Sequence, residues 1–291
     1  MAKFSGMKIN PKTFHRSQIK FYVILIPMAA FVALPILFIV SHAFKPMNEL
    51  FAYPPRFFVR VPTLQNFRNL VQLAADSGIP FSRYLFNSIL VTVVGVFLSI
   101  LVTSLAAYGL SKLKFKGKKL LFEINTLALM FVPIAVTIPR YLTISRMGLI
   151  DSYMVLILPL IAIPVGLFLV KQFIDQTPNE VIEAAKIDGA SEMQIFLKVI
   201  MPIIAPAVAT VGILSFQLIW NDVVGPSLYI DSESMKTLSF YFSTLAALVG
   251  NPVAGQGMMA AASLIMFVPN ILMFLFLQSK VMNTMAHSGI K

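Results

Sequence analysis

Long apolar runs separated by short polar segments dominate the chain. A helix needs about 20 residues to cross the roughly 30 Å hydrocarbon core of a bilayer. Four uncharged runs reach that length: residues 21–44, 84–111, 152–170 and 199–221. A fifth run, residues 124–139, becomes long enough if Glu123 sits at the lipid headgroups.

The last uncharged stretch, residues 237–279, is predicted to hold one span rather than two. Its first part, residues 238–249, offers only about 18 Å of helix at 1.5 Å per residue. Gly250-Asn251-Pro252 and Gly255-Gln256-Gly257 are then expected to interrupt the helix. This leaves a sixth span near residues 258–279, so the pattern predicts an all-α membrane protein with six transmembrane helices.

Prolines within or beside these runs are expected to kink the helices, which neighbours in a bundle tolerate. They are Pro133, Pro139, Pro159, Pro164 and Pro206.

Composition and charge agree with a membrane location. Apolar residues make up 58% of the chain and charged residues 12%, about half the charged share of an ordinary soluble domain. The net charge of +11 comes largely from clusters that flank apolar runs, as the positive-inside rule expects of cytoplasmic segments. These clusters are Lys3, Lys8, Lys12, Arg16 and Lys20, and Lys112, Lys114, Lys116, Lys118 and Lys119.

The charge bias predicts that both termini lie in the cytoplasm of a multi-pass cytoplasmic-membrane protein. We expect a cytoplasmic tail over residues 1–20, a transmembrane domain over residues 21–280 and a second tail over residues 281–291. Basic residues beside spans favour anionic lipid rather than nucleic acid as the partner of this charge.

Several functions are disfavoured by what the spans lack. No charged residue lies well inside any predicted span, which argues against a proton- or ion-coupled transporter and against an intramembrane protease. The sequence contains no G-x-x-x-x-G-K-[ST] loop, so ATP binding in the P-loop manner is not expected. We expect a non-catalytic protein without a cofactor, whose energy is supplied by other subunits.

Two spans carry polar or small residues on one helical face. In the second span, Ser88, Thr92, Gly95, Ser99 and Thr103 recur at steps of three or four. They form either a seam for close helix packing or the wall of a pathway for a polar solute, and packing is favoured.

In the fifth span, Thr210, Gln217 and Asn221 share a face, with Trp220 beside them. Amides and an indole suit sugar hydroxyls and apolar ring faces. For these four residues, a translocation pathway and simple packing are equally favoured.

The segment between the fourth and fifth apolar runs, residues 175–202, is the most specific feature. Thr177-Pro178-Asn179-Glu180 predicts a capping box that begins a helix, and Gly189 predicts its left-handed end. Ser191-Glu192-Met193-Gln194 predicts the cap of a second short helix. Five acidic residues against two basic ones leave the segment at −3, so it does not fit a helix-turn-helix reader of DNA phosphates.

The motif in this segment resembles the EAA loop of permease subunits in binding-protein-dependent ABC importers. Glu183-Ala184-Ala185 is followed by Gly189 and then by Val199-Ile200-Met201-Pro202, where the family pattern ends in I-x-L-P. The resemblance extends from Phe21 onward. Trp220-Asn221-Asp222 and the proline-rich first external loop are similar to the carbohydrate-uptake branch, in particular to the smaller maltose-type permease.

This resemblance implies the type I permease fold and a coupling role toward a separate ATPase. The implied coupling residues are Glu183, Ala184, Ala185, Asp188, Gly189 and Pro202. The implied partners are a second permease subunit in a heterodimer, two ABC ATPase subunits, an extracytoplasmic solute-binding protein and a carbohydrate. A loop near Gly250, Asn251 and Gly255 is implied to contact the binding protein.

The resemblance leaves the cargo open. The same machinery also serves other small polar solutes, and a stand-alone ion-coupled transporter is the alternative from a different class.

Overall fold

A computed structural model describes residues 18–248 and 252–288, and no β-strand occurs among them. The helices are α1 (Ile19–Ala43), α2 (Met47–Leu50), α3 (Gln65–Asp76), α4 (Phe81–Lys112), α5 (Lys118–Ala128), α6 (Thr137–Arg146), α7 (Tyr153–Ile161), α8 (Pro164–Asp175), α9 (Asn179–Ile187), α10 (Glu192–Ile195), α11 (Met201–Ile203), α12 (Ala205–Trp220), α13 (Val224–Tyr229), α14 (Leu238–Leu248) and α15 (Pro252–Ser288).

Within the described ranges, three helices are long and apolar enough to cross a membrane alone: α1, α4 and the Gly255–Gln278 part of α15. Three further crossings exist if each bent helix pair counts as one span. The bends are 111° between Lys118–Ala128 and Pro133–Arg146, 45° between Tyr153–Ile161 and Pro164–Asp175, and 82° between Glu192–Ile203 and Ala205–Trp220. The all-helical prediction is confirmed, with three to six candidate spans.

Prolines mark the breaks, as the sequence predicts. Pro133 opens a short 3₁₀ turn after the first break, and Pro164 and Pro206 lie in the first turns of α8 and α12. Proline lacks a backbone N–H and disfavours helical geometry in the residue before it, so a helix restarts at proline more readily than it passes through.

The described chain divides into two units, one within residues 1–70 and 249–264 and the other within residues 71–248 and 265–291. In the first unit, the Asn66 side chain closes the end of α1. Its amide donates to the carbonyl oxygens of Ala43 at 3.0 Å and Lys45 at 2.8 Å. The Ala43 carbonyl belongs to the last turn of α1 and the Lys45 carbonyl lies two residues beyond it. Neither has a partner inside α1, so the amide satisfies both.

The prediction that Gly255-Gln256-Gly257 interrupts the last helix is wrong. The helix α15 begins at Pro252 and runs through both glycines, which are buried. A Cβ at Gly257 would lie 2.5 Å from Asn66 Oδ1, so glycine permits close packing there rather than a turn. Gly250 and Asn251 lie outside the described residues.

The contact between Gly257 and Asn66 gives a test of this unit. We expect Gly257→Ala to lower stability by about 1–3 kcal/mol, because the added methyl displaces an amide held by two carbonyls. The matched change Gly109→Ala meets no atom within 4 Å and lies in α4, so it should raise stability by up to about 1 kcal/mol. Thermal unfolding of the purified protein measures both, and equal shifts for the two variants would contradict the packing role.

In the second unit, α4 packs against α7, α8 and α12. The polar and small face of α4 is buried, and toward α14 its Ser88 hydroxyl accepts the Leu238 N–H at 2.7 Å. A Cβ at Gly95 would lie 2.6 Å from Ile219 Cδ1. This face is therefore a packing seam, the favoured of the two interpretations.

Candidate functional site

The helix α9 begins one residue later than a Thr177 capping box requires. Pro178 has extended backbone torsions (φ −57°, ψ 141°) and precedes the helix without a side-chain cap. The Thr177 side chain is buried, and its hydroxyl donates to the Phe173 carbonyl at 3.4 Å. The predicted first capping box is wrong, because Thr177 turns back onto α8 instead of forward onto α9.

The end of α9 follows the prediction. Gly189 has φ +81°, its N–H donates to the Lys186 carbonyl, and the Ala190 N–H donates to the Ala185 carbonyl, each at 3.0 Å. These two bonds form a Schellman motif, which favours glycine at the left-handed position. The chain therefore reverses tightly between α9 and α10.

The second predicted cap is confirmed. The Ser191 hydroxyl accepts the Gln194 N–H at 3.3 Å, and the Gln194 side-chain oxygen accepts the Ser191 N–H at 2.9 Å. Residues 196–200 continue α10 as a π-helical turn into α11, which contains Pro202. The segment from Asn179 to Ile203 is thus helical except around Gly189.

Apolar packing attaches this segment to the spans. Ile182 on α9 and Ile195 on α10 are buried with Ile174 at the end of α8, Ala107 on α4 and Ala207 on α12. Burying a side chain of this kind contributes about 1.5–3 kcal/mol. The α9–α10 elbow therefore sits on one core with three spans and should move with them.

A set of polar contacts, which we call the polar brace, also attaches this segment to α4. The Tyr108 hydroxyl on α4 donates to the Glu192 carboxylate at 2.7 Å, and Lys186 Nζ lies 2.5 Å from the other Glu192 oxygen. Lys112 Nζ donates to the Thr177 carbonyl at 2.7 Å. The brace links α4, α9 and α10, whose residues lie far apart in sequence.

The brace predicts unequal effects of its members. Tyr108 is only 5% exposed, so Glu192→Ala leaves a buried hydroxyl without its acceptor and should cost about 1–3 kcal/mol. Lys186 and Glu192 are each about half exposed, so Lys186→Ala should cost less than about 1 kcal/mol. Thermal unfolding of both variants tests this order, and a larger loss for Lys186→Ala would contradict it.

The predicted coupling residues lie at the surface rather than in the apolar core. Glu183, Ala184, Asp188 and Gly189 are exposed and Ala185 is half-buried. Residues four apart lie on the same face of a helix, so Glu183 and Ala184 share one face of α9 with the residues of its following turn. Pro202 is also exposed, but it lies on α11 and not on this face.

Sequence reasoning missed Ile187 on the same face. Its side chain is 86% exposed at the last turn of α9, four residues after Glu183. An isolated isoleucine carries no signal in the sequence that separates an exposed position from a buried one. Together, these residues form what we call the elbow face: Glu183, Ala184, Ile187, Asp188 and Gly189.

The four pathway candidates at α12 differ in how exposed their side chains are. Gln217 and Asn221 are exposed, with the Asn221 amide bonded to the Gln217 carbonyl at 2.9 Å. The Thr210 hydroxyl is half-buried and donates to the Pro206 carbonyl at 3.1 Å.

Trp220 differs from these three residues. It is 5% exposed, stacks on Phe216, and its indole N–H donates to the Met266 carbonyl at 3.1 Å. The indole is therefore used in packing and does not share the surface of Gln217 and Asn221. Burial of a large aromatic side chain stabilises a fold most when its single N–H has a hydrogen-bond partner.

Within the second unit, Asp151 joins two loops. Its carboxylate accepts the Ser232 hydroxyl at 2.5 Å and the Ser232 N–H at 2.8 Å. These bonds lower the pKa of Asp151. The connection between α6 and α7 is thereby fixed to the segment after α13.

Comparison with known proteins adds a family match and several relatives. The family model described as "Binding-protein-dependent transport system inner membrane component" matches residues 95–279. The arabinooligosaccharides transport system permease AraQ of Halalkalibacterium halodurans is 28% identical over 90% of this chain and 92% of its own length. The trehalose transport system permease SugB of Mycobacterium tuberculosis is 28% identical over 91% of this chain and 94% of its own.

A further relative and a solved structure extend these matches. A protein of Caldicellulosiruptor sp., named as a putative ABC transporter permease, is 30% identical over 94% of this chain and 97% of its own length. The solved structure is a crystal structure of a bacterial ABC transporter involved in the import of the acidic polysaccharide alginate. One of its chains matches with a TM-score of 0.78 and 22% identity, over 92% of this chain and 99% of that one. At this identity, the likeness shows the fold.

Proposed function

The chain belongs to the family of binding-protein-dependent transport system inner membrane components, and from this premise we propose that it is the permease subunit of an ATP-driven carbohydrate importer. It is a multi-pass protein of the cytoplasmic membrane. In the proposed machine, it pairs with a second permease subunit, two ATPase subunits and an extracytoplasmic solute-binding protein.

The elbow face is the observation that carries the coupling role. An exposed acidic residue beside an exposed isoleucine, on a helix anchored to three spans, is what a handle for another protein requires. Closure of the ATPase dimer would pull α9, and the shared core would carry the movement to α4, α8 and α12. Rigid-body coupling of this kind needs two arrangements of the bundle and a partner that prefers one.

The proposed function implies a membrane topology for the subunit. The elbow face lies in the cytoplasm, both termini lie on that side, and the bent pairs complete six spans. The region before Gly255 faces the binding protein. The buried position of Gly255 itself directs that role to neighbouring residues and not to this glycine.

Carbohydrate is the proposed cargo because relatives that cover almost the whole chain are named for arabinooligosaccharides and trehalose. Within that class, an oligosaccharide is the expected substrate. Import of another small polar solute by the same machinery is the second candidate, since the exposed amides of Gln217 and Asn221 suit any ligand rich in hydroxyl or carbonyl groups.

Reconstitution tests the proposal. The chain, its partner permease and the ATPase subunits should purify together, and liposomes containing them should take up an oligosaccharide only with ATP and the binding protein. A panel of mono- and oligosaccharides ranks the cargo by stimulated ATP hydrolysis. Uptake by the chain alone, unaffected by removal of ATP, would overturn the proposal.

A further inference from the structure

A cleft of about 460 Å³, which we call the lysine cleft, lies where α4, α5 and α8 meet. Its apolar lining consists of Leu110 near the end of α4, Phe115 in the connection that follows and Phe122 on α5. Its cationic lining is Lys118, Lys119 and Lys171. The lysine cleft therefore places ammonium groups against an apolar wall, and none of its residues belongs to the elbow face.

Local contacts hold the lysine cleft in shape. Gly117 lies in the left-handed region (φ +88°), where glycine is favoured, and turns the chain into α5. The Lys118 ammonium donates to the Ser111 carbonyl of α4 at 2.8 Å. The Phe122 ring stacks on Phe168 of α8, with the centroids 6.0 Å apart. The start of α5 is thereby fixed to both neighbouring helices.

The charge of this corner is only partly compensated. The segments that form the cleft contain six lysines but only two carboxylates, those of Glu123 and Asp175. Lys171 pairs with Asp175 at 2.5 Å, whereas Lys119 approaches Glu123 only to 3.8 Å. Lys118 uses two of its three ammonium hydrogens on carbonyls at the end of α4. The six lysines are Lys112, Lys114, Lys116, Lys118, Lys119 and Lys171. Their surplus of positive charge favours an anionic occupant.

An exposed apolar face leads away from this charge. Leu120, Ile124 and Leu127 follow one another at steps of four and three on one face of α5, and each is more than half exposed. The helix α5 is also the first half of a bent pair that counts as a candidate span. Such a face is favourable beside acyl chains, while lysines at its start suit the depth of the lipid headgroups.

The lysine cleft lies at the same end of the bundle as the elbow. Lys112, in the last turn of α4, donates to the Asn179 side-chain oxygen at the start of α9 at 2.9 Å. The leaflet that borders the cleft is therefore the one on the elbow side. Anionic lipids attract basic segments of this kind, and basic pockets between spans bind their headgroups.

We propose that the lysine cleft binds the headgroup of an anionic phospholipid from the leaflet on the elbow side. The phosphate accepts hydrogen bonds from the ammonium groups of Lys118 and Lys119, and an acyl chain follows the exposed apolar face of α5. This inference goes beyond the proposed function, because it needs the place of the chain in the membrane and not its cargo.

The test titrates the purified full chain with phosphatidylglycerol or phosphatidylcholine and measures bound lipid by native mass spectrometry. The two lipids carry the same acyl chains and differ in net charge, so we expect phosphatidylglycerol to bind at least about tenfold more tightly. Lys119→Gln should weaken its binding about fivefold, and the double change of Lys118 and Lys119 to glutamine about thirtyfold. Binding of phosphatidylcholine should not change.

Matched controls separate the position of the charge from its amount. Lys198→Gln removes the same charge from an exposed position on the π-helical turn after α10, so its affinity should equal that of the wild type. The Lys119 side chain is 91% exposed, so Lys119→Gln keeps the fold even if loss of the Lys118 contacts with α4 destabilises the double variant. Inorganic phosphate, which lacks acyl chains, should not displace the lipid.

Each other outcome would overturn the inference. Equal affinities for the two lipids, or equal losses in Lys119→Gln and Lys198→Gln, would show that the cleft does not select an anionic headgroup. Displacement by inorganic phosphate would assign the cleft to a free anion. Normal lipid binding by Lys119→Gln, together with weaker binding of the ATPase in a separate titration, would make it a protein contact. The lipid assay contains neither ATPase nor sugar, so failure of the proposed function would leave its result intact.

Discussion

Replacing Glu183 by lysine is expected to abolish ATP hydrolysis stimulated by the loaded binding protein, while insertion of the chain into the membrane stays intact. Glu183 is exposed on α9 and forms no ion pair within the described ranges. In the proposed complex, it meets a basic residue of the ATPase. Reversing one charge of such a desolvated pair costs about 2–5 kcal/mol or more, which corresponds to a loss of about thirtyfold or more.

The control is Glu123→Lys, the same reversal on the exposed surface of α5. Glu123 pairs with Lys119 at 3.8 Å, and both side chains are more than half exposed, so this pair contributes little. Stimulated ATPase activity should stay near that of the wild type. Full activity of Glu183→Lys, or equal losses in both variants, would show that the position of the charge does not matter.

Replacing Ile187 by aspartate should weaken binding of the ATPase about 100-fold without unfolding the subunit. Ile187 is 86% exposed in the described chain, so its removal costs no internal packing. Burial in a partner's groove would contribute about 1.5–3 kcal/mol, and aspartate would add the cost of an unpaired buried charge. Titration of the purified subunits with ATPase measures the change.

Phe115→Asp is the control for Ile187→Asp. Phe115 is 44% exposed in the connection after α4, near Lys112, whose ammonium contacts the start of the α9 segment. It is therefore an exposed apolar residue at the same end of the bundle but outside the elbow face. An affinity unchanged by Ile187→Asp would remove Ile187 from the interface.

Much of the elbow was predictable because its signals are local. Gly189 in the left-handed region and the reciprocal bonds of Ser191 and Gln194 follow from residue types at fixed spacing. The first cap was not, because the Thr177 hydroxyl can either accept an N–H at the start of α9 or donate to a carbonyl of α8, and in the fold it donates to Phe173.

Other parts of the site depend on contacts between distant segments. Tyr108 donates a hydrogen bond to Glu192, 84 residues later in the sequence, and neither residue type predicts such a pair. The sequence predicts a break at the glycines of α15, since it does not reveal that Asn66 occupies the space beside Gly257. Burial of Trp220 against the Met266 carbonyl could not be predicted for the same reason.

The central claim is that α9 is a cytoplasmic handle held by the ATPase, and the absence of cysteine allows a direct measurement. Ala184→Cys introduces a single thiol on the elbow face, and Tyr53→Cys places one in the loop after α2, which the proposed topology puts outside the cell and where the side chain is 95% exposed. A membrane-impermeant maleimide should label Ala184→Cys only in inverted vesicles, with protection when ATPase subunits are added, and Tyr53→Cys only in right-side-out vesicles. Labelling of Ala184→Cys from the outside would contradict the account.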